Sequence, residues 1–129
     1  MKARYTVLAA AVAGFAAGAV TIDQLHAQAK PPVFYVAEID MKNAEAYQKE
    51  YAPKAQASIK KHGGKLLAAG QNVKSYEGAP PKARVAIQQW DSIEKIEAWR
   101  SSPEYKEARK IGDKYAKFHT VAVEGVPQP

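Results

Sequence analysis

Apolar positions along the chain fall into three patterns: one unbroken run, then short alternations, then helical spacings. The unbroken run is Thr6 to Ile22, TVLAAAVAGFAAGAVTI. Beyond Pro32 the pattern is that of a folded domain. Val33 to Ile39, VFYVAEI, is rich in β-branched and aromatic residues and predicts a first strand. Ala44, Tyr47, Tyr51, Ala55 and Ile59 recur at three- and four-residue spacing, which marks one face of a helix. Pro53 lies inside that face. It lacks a backbone donor and its ring crowds the preceding turn, so a kink or break is predicted between Glu50 and Pro53. Lys65 to Ala69 predicts a second strand, with Gly70 as a bulge or bend and Val73 to Tyr76 as its continuation. Glu77 to Pro81 is a turn cluster. Ala83 to Trp90 predicts a third strand. Asp91 is the expected cap of a short helix carrying Ile93, Ile96 and Trp99, with Glu94 as its reciprocal partner. Ser102-Pro103-Glu104 opens another helix with a serine cap, a proline at the first position and an acid in the first turn. That helix reaches about Ala116, and Phe118 to Glu124 is the final strand.

The resulting order, β-α-β-β-α-β with a divided second helix, is the split βαβ or ferredoxin-like arrangement of the α+β class. Four antiparallel strands would carry the helices on one face. Strand one nevertheless has two apolar sides: Val33, Tyr35, Ala37 and Ile39 on one, Phe34 and Val36 on the other. Strand three repeats this, with Val85 and Ile87 opposite Ala86 and Trp90. A sheet with two apolar faces needs a second cover. In so short a chain a twin subunit is the economical one, so a two-fold homodimer with packed sheets is expected.

The N-terminal run changes the picture of destination. Lys2 and Arg4 precede it, and Ala27-Gln28-Ala29 follows with small residues in an A-x-A pattern. A basic start, an apolar middle and a small-residue exit make a secretory signal peptide over residues 1–29, with cleavage after Ala29. An uncleaved anchor is the competing reading, since about 18 apolar residues can span a bilayer. The run's alanine content and Asp23 favour cleavage, with no stable membrane association afterwards. Residues 30–32 are then a stiff linker, 33–126 the domain and 127–129 a tail. Without Lys2, Arg4 and Asp23, the 19 basic and 13 acidic residues fall to 17 and 12. That mild positive excess suits solubility and anionic ligands. Nucleic acid is not an expected partner of an exported chain. The sequence has no cysteine, which excludes disulfides, thiol chemistry and cysteine-bound metal. A periplasmic or secreted location is expected.

Tyr35-Val36-Ala37-Glu38-Ile39, Ala46-Tyr47, His62-Gly63-Gly64-Lys65, Glu77-Gly78, Arg84, Trp99, Ser102-Pro103-Glu104-Tyr105 and Val123-Glu124-Gly125-Val126 occur in one order. Together they resemble a bacterial family catalogued as domain of unknown function thirteen-thirty. The resemblance spans about Val33 to Val126 and implies a ferredoxin-like fold of the dimeric α+β barrel type. That superfamily includes cofactor-free monooxygenases, haem-degrading enzymes and isomerases, while the family itself has no assigned activity. Fold likeness alone does not carry function.

Few residues carry recognisable chemistry. Gly63 and Gly64 follow a helix ending in Lys60-Lys61, which suits a left-handed helix stop with cations at the negative end of the dipole. His62 is either part of that stop or an acid–base group at a site. No Walker spacing and no G-x-S-x-G occur. His62 and His119 have no partner at metal-ligand spacing, so no metal and no cofactor is expected. His119, in the last strand, reads as packing or edge polarity. Arg84 either holds a carboxylate bidentately or is a sheet-edge charge. Tyr35, Tyr47, Trp90, Trp99 and Tyr105 are either core or the walls of a cleft for a flat organic molecule. Three readings remain open: a protein that binds a small molecule between helices and sheet; a cofactor-independent enzyme, monooxygenase- or isomerase-like, with His62 as base and Arg84 as anion holder; or a purely structural domain that acts through its surface.

Overall fold

The computed structural model describes residues 30–80 and 84–129. The expected signal peptide, residues 1–29, lies outside them. Two units are distinguished. Pro32–Gly125 is one, and Met1–Pro31 with Val126–Pro129 the other, whose described residues carry no helix or strand. Among the described residues no helix is long and apolar enough to cross a membrane.

Strand β1 is Val33–Met41. Helix α1 follows in three contiguous segments: Ala44–Ala46, a π-helical Tyr47–Tyr51, and Ala52–Lys61. Then come β2 (Lys65–Gly70), β3 (Arg84–Trp90), α2 (Ile93–Arg100), α3 (Pro103–Tyr115) and β4 (Ala116–Glu124). The strands form one antiparallel sheet in the order β2-β3-β1-β4. This is the ferredoxin-like arrangement.

Four local expectations change. The disturbance at Pro53 is a π turn rather than a break. The Ala52 amide donates to the Tyr47 carbonyl, five residues back, so Pro53 starts a fresh α segment near its N-terminus, where a missing donor is harmless. The cap of α2 is Ser92, not Asp91; its hydroxyl accepts from the Lys95 amide at 3.2 Å. The bulge of β2 falls between Leu66 and Ala68, and the strand ends at Gly70. Val73 to Tyr76 carries no strand, and Tyr76 is exposed. The cap of α3 is Ser102 as read: its hydroxyl accepts from the Tyr105 amide and donates to the Trp99 carbonyl.

The core lies between the sheet and the helices. Pleating sends Val33, Tyr35, Ala37 and Ile39 of β1 inward, beside Ala86 and Trp90 of β3. Trp90 and Trp99 are each 1% exposed, with ring centroids 5.0 Å apart. Burying such a ring supplies about 4–6 kcal/mol of transfer free energy. Both indoles keep their N–H satisfied, Trp90 by Gln88 Oε1 at 2.9 Å and Trp99 by Ser58 Oγ at 3.0 Å. The opposite sheet face carries Phe34, Val36, Val85 and Ile87 with the exposed Val121 and Val123.

Candidate functional site

The His62 stretch is a helix stop in its backbone. The Gly64 amide donates to the Ile59 carbonyl at 2.9 Å and the Gly63 amide to Lys60 at 3.2 Å. These two bonds make a Schellman motif, which places Gly63 at φ +94°. Gly64 is needed for a different reason. A Cβ there would lie 2.5 Å from Trp90 Cζ2 and 2.8 Å from Ile59 Cγ2. The His62 side chain turns to α3 instead. Its Nε2 lies 3.3 Å from Glu104 Oε2, and Lys61 Nζ donates to the other carboxylate oxygen. The Lys61 hydrogen bond, helped by Glu104's own amide and by His62, lowers the Glu104 carboxyl to about 2. His62 therefore joins the end of α1 to the start of α3 and is not among the residues that line the cavity described next.

That cavity, of about 40 Å³, lies between α1, α3 and the sheet. Tyr35 and Arg84 reach it from β1 and β3, Tyr47 and Tyr51 from the π turn, Tyr105 from α3 and Trp99 from α2. Of the five aromatic residues singled out in the sequence, four line it; Trp90 packs against Trp99 outside it. The π turn matters here because it sets the Tyr47 and Tyr51 rings side by side, 5.0 Å apart, over one space.

Arg84 is the one formally charged residue of the lining among the described residues. It is 8% exposed, on an inner strand, so the alternative of a sheet-edge charge is set aside. Its guanidinium lies 5.6 Å from the Tyr47 ring centre, a cation–π contact. Its Nε is buried without a hydrogen-bond partner, and no described carboxylate forms an ion pair with it. Burial pushes the Tyr47 phenol above its ordinary value, and the Arg84 charge offsets part of the rise. Tyr51 is raised further by burial, with Tyr105 adding to it. At the rim Arg100 donates to the Tyr35 hydroxyl at 2.5 Å, and Arg109 to the Tyr105 hydroxyl at 3.2 Å. The site thus combines a buried cation with phenols that burial holds in their neutral form.

Sequence reasoning missed Tyr51, Gln88 and Thr120, which also line the cavity. The clue for Gln88 was parity: Arg84, Ala86, Gln88 and Trp90 share one side of β3. His119 stands on the opposite sheet face, 72% exposed, 3.4 Å from Glu38. Among the described residues no three histidine, aspartate or glutamate side chains gather in a way that could hold a metal.

The family described as Domain of unknown function (DUF1330) matches residues 32–126. The chain belongs to this family. Among solved structures, a protein of unknown function from Rhodopseudomonas palustris is similar at TM-score 0.64 and 18% identity, covering 78% of this chain and 85% of the other. SnoaB, a cofactor-independent oxygenase from Streptomyces nogalater, is similar at TM-score 0.57 and 11% identity, over 76% and 96% of the two chains. A dimeric protein of unknown function with a ferredoxin-like fold, from Bacteroides fragilis, gives TM-score 0.55 and 15% identity over 73% and 96%. A search of the curated proteins finds no match. At such identities these likenesses establish the fold of this DUF1330 domain, ferredoxin-like α+β, and nothing of its activity.

Proposed function

We propose that the protein is an exported homodimer that binds a small organic anion between helices and sheet, with Arg84 holding the charge. One observation carries this reading: a buried guanidinium whose Nε has no partner and which no described carboxylate neutralises. A buried charge is costly unless paired, so its retention calls for an occupant that pairs it. The planar fork of arginine suits a carboxylate held by two parallel bonds. The test is a melting curve with and without a simple unbranched carboxylate such as butyrate. Butyrate raises the melting temperature of the wild type and leaves Arg84→Met where it was. An equal shift in both proteins refutes the assignment of Arg84.

The homodimer has its own support. The outer sheet face is apolar, with Val121 49% and Val123 56% exposed, and the Bacteroides fragilis neighbour is described as dimeric. Sedimentation of the wild type at micromolar concentration should give a dimer, and Val121→Lys should give a monomer. Export is supported by the apolar run up to Ile22 and the Ala27-x-Ala29 exit. An intact mass beginning at Lys30, in protein from its own cell envelope, is the expected result; retained residues 1–29 would overturn it.

An enzymatic reading has one observation in its favour. Tyr47, Tyr51 and Tyr105 line the same cavity as a buried cation, which can hold an enolate or phenolate as charge develops on it. His62, outside the lining, does not serve as the base in this reading. Turnover of an enolisable substrate that survives His62→Ala and fails in Arg84→Met would favour it.

A further inference from the structure

A groove of about 470 Å³ opens beside the cavity, between α1 and β2. It shares Gln56, Ile59 and Leu66 with the cavity lining, so the two spaces adjoin. Leu67 completes its apolar wall, and Lys60 and Lys65 stand at its exposed side. The size is that of an ordinary small-molecule site, whereas the cavity alone has room for only a few waters.

The groove has an unusual construction. Successive strand residues normally point to opposite faces. Leu66 and Leu67 both line the groove, and they are 41% and 51% exposed. The register shift between Leu66 and Ala68 accounts for this: the bulge inserts Leu67 as an extra residue. An edge strand that holds two leucines toward one open groove leaves apolar surface in water, which calls for an occupant. The bulge also interrupts the edge ladder, which disfavours a second strand as that occupant.

The spacing indicates how such an occupant lies. Leu66 pairs with Gln88, and Gln88 is four residues along β3 from Arg84, about 13 Å of strand. The charge and the leucines stand at opposite ends of one passage. A volume of about 40 Å³ spread over that length is slender. We infer that the site takes an amphipathic organic monoanion with an unbranched aliphatic body, its head on Arg84 and its tail emerging along Ile59, Leu66 and Leu67. This rests on the reading of Arg84 as anion holder and adds the body of the ligand and its direction.

Calorimetric titration of the full chain with straight-chain carboxylates, acetate to decanoate, tests it. Kd is expected to fall about two- to fourfold per methylene until the chain outgrows the groove. The matched alcohols and branched isomers such as 2-ethylhexanoate bind at least tenfold more weakly. Leu67→Ser, at an exposed position that the fold tolerates, flattens the dependence on chain length. A series that is flat in the wild type but lost in Arg84→Met overturns this inference and leaves the anion site standing. A chain-length gradient that survives Leu67→Ser, or equal binding of branched isomers, also overturns it. Binding that survives Arg84→Met, or no binding by any carboxylate, overturns both readings. Arg84→Lys guards against a folding defect: it keeps the charge without the fork, and short acids bind it more weakly than wild type but better than Arg84→Met.

Discussion

His62 and Glu104, 42 residues apart in the chain, meet at 3.3 Å across the ends of α1 and α3. The contact ties together the H-G-G-K and S-P-E-Y runs that make the sequence recognisable. Separate in the chain, they are one structural joint in space.

The joint has a pH signature. Glu104 is lowered from its ordinary 4.5 to about 2, chiefly by the Lys61 hydrogen bond. A carboxyl depressed in the folded state adds stability above its unfolded value and loses it as pH falls through the folded one. The melting-temperature difference between wild type and Glu104→Gln should therefore be full at pH 6 and shrink between about 4.5 and about 2. A difference constant over that window would show that the carboxylate charge plays no part in the joint.

Gly63 and Gly64 should fail differently. Gly64→Ala drives a methyl into Trp90 and Ile59, an overpacking cost of about 1–3 kcal/mol. Gly63→Ala meets no atoms within 4 Å but must hold φ at +94°, a cost of about 1–2 kcal/mol. Urea unfolding gives both losses. Tryptophan emission of the folded state should shift only for Gly64→Ala, because only that change disturbs Trp90.

Arg84→Met should leave the empty protein as stable as wild type or about 1 kcal/mol more so, since an apolar side chain replaces a buried charge that no described carboxylate neutralises. A loss of several kcal/mol in urea unfolding would instead mean that Arg84 serves the fold.

The phenols offer a spectroscopic check. Tyr35, Tyr47 and Tyr51 are raised above the ordinary 10.0, burial being the largest cause for each. A phenol raised in the folded state favours folding below its unfolded value, and that advantage shrinks as pH climbs above it. Ultraviolet titration should show these three phenols ionising only together with loss of far-ultraviolet ellipticity. Their ionisation at pH 10 in protein that keeps its folded ellipticity would contradict their burial.

How much of this was legible in the sequence varied by residue. Alternation and helical spacing report which side of an element is apolar, so the strands, their order and the two faces of the sheet could be read from them. Caps such as Ser102 are local and equally plain. Asp91 misled because Asp91 and Ser92 are both good caps, and only backbone geometry chooses between neighbours. Val73 to Tyr76 looked like strand because its residue types favour one, yet no partner strand pairs with it there. Arg84 was ambiguous for a deeper reason. A cation at a strand end is ordinary on an edge and exceptional inside, and its place on an inner strand is a property of the assembled sheet. The pairing of His62 with Glu104 was invisible for the same reason, as it depends on two helix ends meeting.

The π turn of α1 has a last consequence. Such a turn is the footprint of one residue wound in beyond the α-helical count. Deleting Gln48 would let the segment relax into a regular helix with better-aligned hydrogen bonds. It would also turn everything before the deletion by about 100° relative to Ala55 and Ile59. Tyr47 would then swing away from Arg84 while Ile59 kept its place beside Leu66. The more regular helix would be the poorer wall, so homologous chains that keep this cavity should keep the irregularity, and its loss would mark a change of use.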